Sequence, residues 1–123
     1  MSLARVDVTT VGSAGAAVGT GQTLPLHGVL GFIQVDYHGS APGTTDVTIT
    51  EAGGPGRTLL TLTNRNTDGI FYPNVSFTDG TGSAYATASY GAWVLAGTPL
   101  LVSVAGCDAL TDAVKVTFGY LKG

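Results

Sequence analysis

The chain has 123 residues, a length that suits one domain built around one core. Apolar residues make up 44% of it and charged residues only 11%, well below the roughly 25% of an ordinary soluble domain. The net charge of -3 and a pI near 4.9 argue against the counterion release that drives nucleic-acid binding, so no direct nucleic-acid partner is expected.

Gly occurs 19 times and Thr 18 times, while Lys, Glu, Gln and Met are scarce, which favours strands and tight turns over helices. The single Cys107 rules out an intramolecular disulfide and any Cys-based zinc cluster, and reads as a small buried apolar residue. The start, MSLARVDVTT, has neither a basic-then-apolar leader nor an apolar run of membrane-spanning length, so the expectation is synthesis in the cytoplasm and no membrane partner. A surface so poor in charge points to assembly, with apolar area covered by a partner or by further copies of the chain.

In chain order, residues 4–10 alternate Val6 and Val8 with Asp7 and Thr9, a half-buried strand pattern. "VGSAGAAVGTGQT", residues 11–23, is small and Gly-rich and reads as a flexible connector. Residues 1–23 are therefore expected as an extended arm with a strand-forming tip, and residues 24–123 as the folded domain.

"GVLGFIQVDYH" is a strong strand with Ile33, Val35 and Tyr37 on one face and Phe32, Gln34 and Asp36 on the other. "DVTIT" turns Val47 and Ile49 inward, "EAGGPG" is a hairpin tip, and "RTLLTLT" returns with Leu60 and Leu62 on one face and Leu59 on the other. "IFYPNVSF", a weak "AYATASYGAWVLAG", "TPLLVSVAG" and "AVKVTFGYL" follow, the last with Val114, Val116, Phe118 and Tyr120 sharing a face. The pattern predicts an all-β fold, a seven- to eight-stranded antiparallel sandwich or jelly-roll-like barrel.

Chemistry is sparse. Asp36 and His38 stand two apart on one strand, a spacing that suits two ligands of one metal, with a third from His27 or Asp46; the competing reading is a solvated strand end. A hydrolase using His38 ranks last, for no GxSxG elbow is present and most carboxylates stand at turns, as in the "TDG" of 67–69 and of 78–80. The Gly-rich stretches lack the helix and Lys of a phosphate loop. No catalytic residue, metal or cofactor is assigned.

Asn64, Asn66, Asp68 and Gly69 in "NRNTDG" read as turn chemistry, which leaves Arg65 as a lone cation at a loop tip, free or in an interface. Phe71, Tyr72, Tyr90 and Trp93 lie on weakly patterned segments, and as a set they suggest contact with a partner.

The run from "GFIQVDYHGSAPGTTDVTITEAGGPGRTLLTLTNRNTDGIFYP" to "TPLLVSVAGCDALTDAVKVTF" resembles small structural proteins of tailed bacteriophages, over most of residues 30–119. The resemblance implies a decoration (cement) protein on the outer surface of the virion head. Such a protein binds the major capsid protein, forms a homotrimer, is made in the host cytoplasm and pairs an N-terminal arm with the capsid subunit. Here that arm would be Ala4, Arg5, Val6, Asp7 and Val8, with Val6 and Val8 filling partner pockets. The alternative is a glycan-binding module of the virion or tail, in which Trp93, Tyr72 or Tyr90 stacks on sugar rings beside Asn74 or Asp79.

Overall fold

The computed structural model describes every residue except Phe77, Asp79, Ala88 and Ser89. Among the described residues there are ten strands and no helix, and hence no helix long and apolar enough to cross a membrane. The strands are β1 (Ser2–Val8), β2 (Ala17–Gln22), β3 (His27–Tyr37), β4 (Asp46–Glu51), β5 (Thr58–Leu62), β6 (Gly69–Phe71), β7 (Asn74–Ser76), β8 (Tyr90–Ala96), β9 (Leu100–Cys107) and β10 (Val114–Leu121).

They form two antiparallel sheets. One runs β1-β10-β3-β8-β7 with β6 also paired to β3; the other runs β2-β9-β4-β5. The pairing is nested: β1 with β10, β2 with β9, β3 with β8, and β4 with β5 at the centre. A long antiparallel ribbon rolled up in this way is the jelly-roll order. Short β6 and β7 are additions to it.

Alternation places the core between the sheets. Val114, Val116, Phe118 and Tyr120 of β10 point inward, with Ile33, Val35 and Tyr37 of β3 beside them; Val47 and Ile49 of β4 and Leu100, Val102 and Val104 of β9 face them from the other sheet. Cys107 is buried among them. The register between β10 and β3 slips between Gly119 and Tyr120, so that Gly119 stands opposite Phe32 and Tyr120 opposite Leu30. This bulge flips the phase of β3: Leu30 and Ile33, three apart, both reach the core, and Val29 turns outward. Leu60 and Leu62 share a face as expected, opposite the inward Ile49 and Val47, with Leu62 buried and Leu60 half-buried against the core; a similar slip between Ile49 and Thr50 adds Leu59 to the buried residues.

The larger correction concerns residues 1–23. The segment expected as an arm is an edge strand of the body: β1 pairs with β10 along its whole length, from Ser2 opposite Tyr120 to Val8 opposite Val114, and Val6 and Val8 lie in the core. The expected connector holds β2, paired with β9. Its glycines serve close packing rather than flexibility. A Cβ on Gly19 would stand 2.4 Å from the carbonyl oxygen of Thr9, and one on Gly21 2.7 Å from Cγ1 of Val6. Only a strand without side chains there lets β1 lie this close.

Two buried threonine hydroxyls are satisfied, whereas the buried Tyr37 and Thr98 hydroxyls and the Trp93 indole N–H have no hydrogen-bond partner among the described residues. Thr10 Oγ1 donates to the carbonyl of Asp108 (2.6 Å) and accepts from the N–H of Leu110 (3.1 Å). Thr23 Oγ1 donates to the Leu24 carbonyl (2.6 Å) and accepts from the Leu100 N–H (3.0 Å), tying the end of β2 to the start of β9.

Candidate interaction surfaces

Asp36 and His38 line a cleft of about 470 Å³ with Tyr37, Thr111, Asp112 and Lys115. Asp36 stands opposite Lys115 on β10, which stands opposite Asp7 on β1, so opposite charges alternate across three strands of the outer face. His38 Nδ1 accepts the backbone N–H of Ser40 at 3.0 Å, which uses one of its two possible ligand atoms in a local turn. The proposed third ligands lie elsewhere. His27 begins β3 at the opposite end of that strand, and Asp46, in the other sheet, accepts the Asn64 N–H at 2.8 Å. Among the described residues no three His, Cys, Asp or Glu side chains converge on a metal position.

The 63–68 segment is held by long-range bonds rather than by the local turn bonds its composition suggests. Asn64 adopts a positive φ of 51°, where Asn is tolerated. The Arg65 N–H donates to the Thr45 carbonyl, Asn66 Nδ2 donates to the Ala41 carbonyl at 2.9 Å, and Asp68 Oδ1 accepts the Tyr37 N–H at 2.7 Å. Two polar side chains and one backbone N–H thus fasten the crossing from β5 to β6 onto the 41–46 segment and the end of β3. Arg65 stacks its guanidinium over the ring of Phe71, 5.1 Å from the centroid, so its loop-tip charge rests on an aromatic face.

The aromatic set divides. Trp93 is a core residue, 5% exposed, which corrects its assignment as a partner-contact or sugar-stacking side chain. The reason is register: Trp93 stands opposite Leu30, an inward position. Arg57 lies over the Trp93 ring at 4.7 Å, donates to the Val94 carbonyl at 3.1 Å, and grips Glu51 through Nε and one terminal nitrogen, both at 2.8 Å. This cluster bridges the sheets, because Glu51 ends β4 and Trp93 belongs to β8. Hydrogen bonding from Arg57 holds the buried Glu51 carboxyl below its ordinary pKa. Phe71 is half-buried, whereas Tyr72 and Tyr90 are 72% and 58% exposed. Asp79, named beside them for a glycan site, lies outside the described residues.

Of the expected arm contacts, Val6 and Val8 are spent on the core, Ala4 is half-buried against it, and Arg5 and Asp7 pair with each other at 2.9 Å on the outer face.

The apolar surface that sequence reasoning missed is on the outside of the six-stranded sheet. Leu121 of β10, Val29 of β3 and Val94 of β8 stand in one cross-strand row, all exposed. Leu3 of β1 lies in the next row, opposite Gly119, whose missing side chain leaves room for the ring of Phe32. Ile70 on β6 and Tyr90 on β8 extend the exposed apolar residues along the same sheet. Val29 and Val94 carried no signal in the sequence, because the β3 bulge decides which way Val29 points.

The outside of the four-stranded sheet is different. Thr20, Ser103, Thr48 and Thr61 stand in register across its four strands.

Comparisons of the chain with protein-family models, with curated proteins and with solved structures give no match.

Proposed function

We propose that this chain is a decoration (cement) protein of a tailed-bacteriophage head, a rigid jelly-roll body that docks on the major capsid protein and stiffens the shell as a homotrimer. The observation that carries this reading is an apolar row on the outer face of the six-stranded sheet, where Leu121, Val29 and Val94 are aligned and open to solvent on a chain with only 11% charged residues. Aligned exposed apolar residues are the usual mark of a contact surface. The jelly roll is shared by viral shell proteins and by lectins, so the fold supports the reading by analogy alone.

In this reading affinity comes from a preformed surface. The sandwich is already ordered, so docking does not incur the ordering entropy of a disordered arm. A trimer engaging several shell subunits gains further through effective concentration. The partner surface includes Tyr72 and Tyr90 and excludes Trp93.

The test is the copy number of the chain relative to the major capsid protein in purified particles, by quantitative mass spectrometry. Close to one copy per capsid subunit is expected. A handful of copies per particle would place the chain at the tail or portal and overturn the decoration role.

A further inference from the structure

β1 is an edge strand. Its inner side pairs with β10, and no described strand pairs with its outer side. In an antiparallel strand alternate residues turn their N–H and C=O away from the partner, so about half the main-chain groups of Ser2–Val8 face outward from the sheet. The two halves of that edge differ. Towards Val8, β2 closes it: the Cβ positions of Gly19 and Gly21 are filled by Thr9 and Val6, and Val11 bridges to Val18. Towards Ser2, the chain leaves β2 and turns away through residues 22–26, and a groove of about 680 Å³ opens between that segment and residues 3–5.

The groove has a buried apolar floor and an exposed apolar rim. Leu26 and Tyr120 form the floor at 5% and 8% exposure, and Leu3 and Leu24 stand on the rim at 66% and 83%. Its charge is one-sided. The chain is acidic overall, yet among the described residues the groove is lined by two cations, Arg5 and Lys122, and by no carboxylate. Arg5 is paired with Asp7, whereas Lys122 belongs to neither ion pair found among the described residues.

We infer that this groove accepts an extended segment of a partner protein. The segment adds a strand to the open half of β1, seats an apolar side chain between Leu3 and Leu24, and places a carboxylate at Lys122. Three features specify that occupant together: unpaired main chain selects an extended backbone, the floor and rim select an apolar side chain, and the unpaired ammonium selects an anion. The chain is then the acceptor of a strand. The inference rests on the proposed shell role only for the source of the segment, which in that case is a capsid subunit.

The test uses the whole protein and a fluorescein-labelled heptapeptide of alternating valine and threonine ending in glutamate, titrated by fluorescence anisotropy. Saturable binding is expected. Lys122→Glu and Leu24→Asp, both at exposed positions that leave the core intact by circular dichroism, each weaken it at least tenfold. A peptide ending in amidated lysine recovers binding to Lys122→Glu, and N-methylation of alternate residues on its bonding edge abolishes binding. Absence of saturable binding, binding that survives N-methylation, or failure of the charge swap each overturns the inference. The peptide result is independent of particles: binding without incorporation into heads sinks the decoration role alone, and incorporation without peptide binding sinks the groove alone.

Discussion

The two outer faces of the sandwich are built from the same low-charge chain but meet water differently. The six-stranded sheet turns out Leu121, Val29 and Val94 in one row, whereas the four-stranded sheet turns out Thr20, Ser103, Thr48 and Thr61 in another. A hydroxyl row remains hydrated without charge, while an aliphatic row leaves apolar area that a partner can cover. The contrast teaches that scarce charge alone does not mark a contact face. What marks it is which residues the register brings side by side.

Both faces depend on the sheets keeping their register, and the largest effect comes from breaking it at their shared margin. Gly19→Val is expected to destabilise the fold by about 3 kcal/mol or more, because its Cβ meets the backbone oxygen of Thr9, which cannot move without displacing β1. Urea denaturation followed by circular dichroism measures this, and a loss under 1 kcal/mol would mean that β1 does not lie against β2 as described.

Next comes the tie between the sheets. Arg57→Ala leaves the Glu51 carboxylate buried without its partner and is expected to cost about 2–3 kcal/mol, less than for a fully buried pair because the guanidinium is partly solvated. The pH dependence has a definite sign. Glu51 has a lowered pKa in the folded state, so its contribution is complete above the ordinary glutamate value near 4.5 and disappears as pH falls through the folded value. The stability gap between the parent and Arg57→Ala should therefore narrow in acid, and a constant gap from pH 7 to pH 3 would contradict the assignment.

The faces themselves are distinguished by smaller changes in stability and larger ones in association. Val94→Lys combined with Leu121→Lys should leave unfolding within about 0.5 kcal/mol of the parent, since both side chains are exposed, while on the proposed shell role incorporation into heads falls at least tenfold. Thr48→Lys on the opposite face should change neither. Equal losses from both faces, scored by co-sedimentation with particles, would erase the distinction. The smallest effect is expected for Thr61→Val, about 0.5 kcal/mol or less, because Thr61 is exposed and lies on the outer face.

Much of the fold was legible wherever alternation ran undisturbed. Val114 to Tyr120, Ile33 to Tyr37, and Val47 with Ile49 face inward as their spacing requires. Errors arose where a bulge or a close approach overrode the pattern. The slip beside Thr50 brings Leu59 into the core alongside Leu60 and Leu62, which alternation alone does not show, and the Gly-rich 17–22 run looked like a linker because packing against β1 is invisible in a list of small residues. Pro73 divided "IFYPNVSF" between two partners, with β6 joining β3 and β7 joining β8.

The candidate contacts were legible to a smaller degree. Tyr72 and Tyr90 were found as aromatics on weak strands and are exposed. Trp93 was found in the same way and is buried, since nothing in "SYGAWVL" states which neighbour lies across from it. The groove beside β1 had no linear signature, for its walls come from residues 3–5, 22–26, 120 and 122.

By itself the sequence determined the all-β class, most of the strands and the inward faces of the regular ones, because a period of two and the scarcity of helix formers act locally. Only the tertiary structure decided the nested order of strands, the incorporation of residues 1–23 into the body, and the difference between an aliphatic and a hydroxyl outer face. Those outcomes depend on which strands become neighbours and on single-residue slips between them, and a one-residue slip reverses every side chain beyond it.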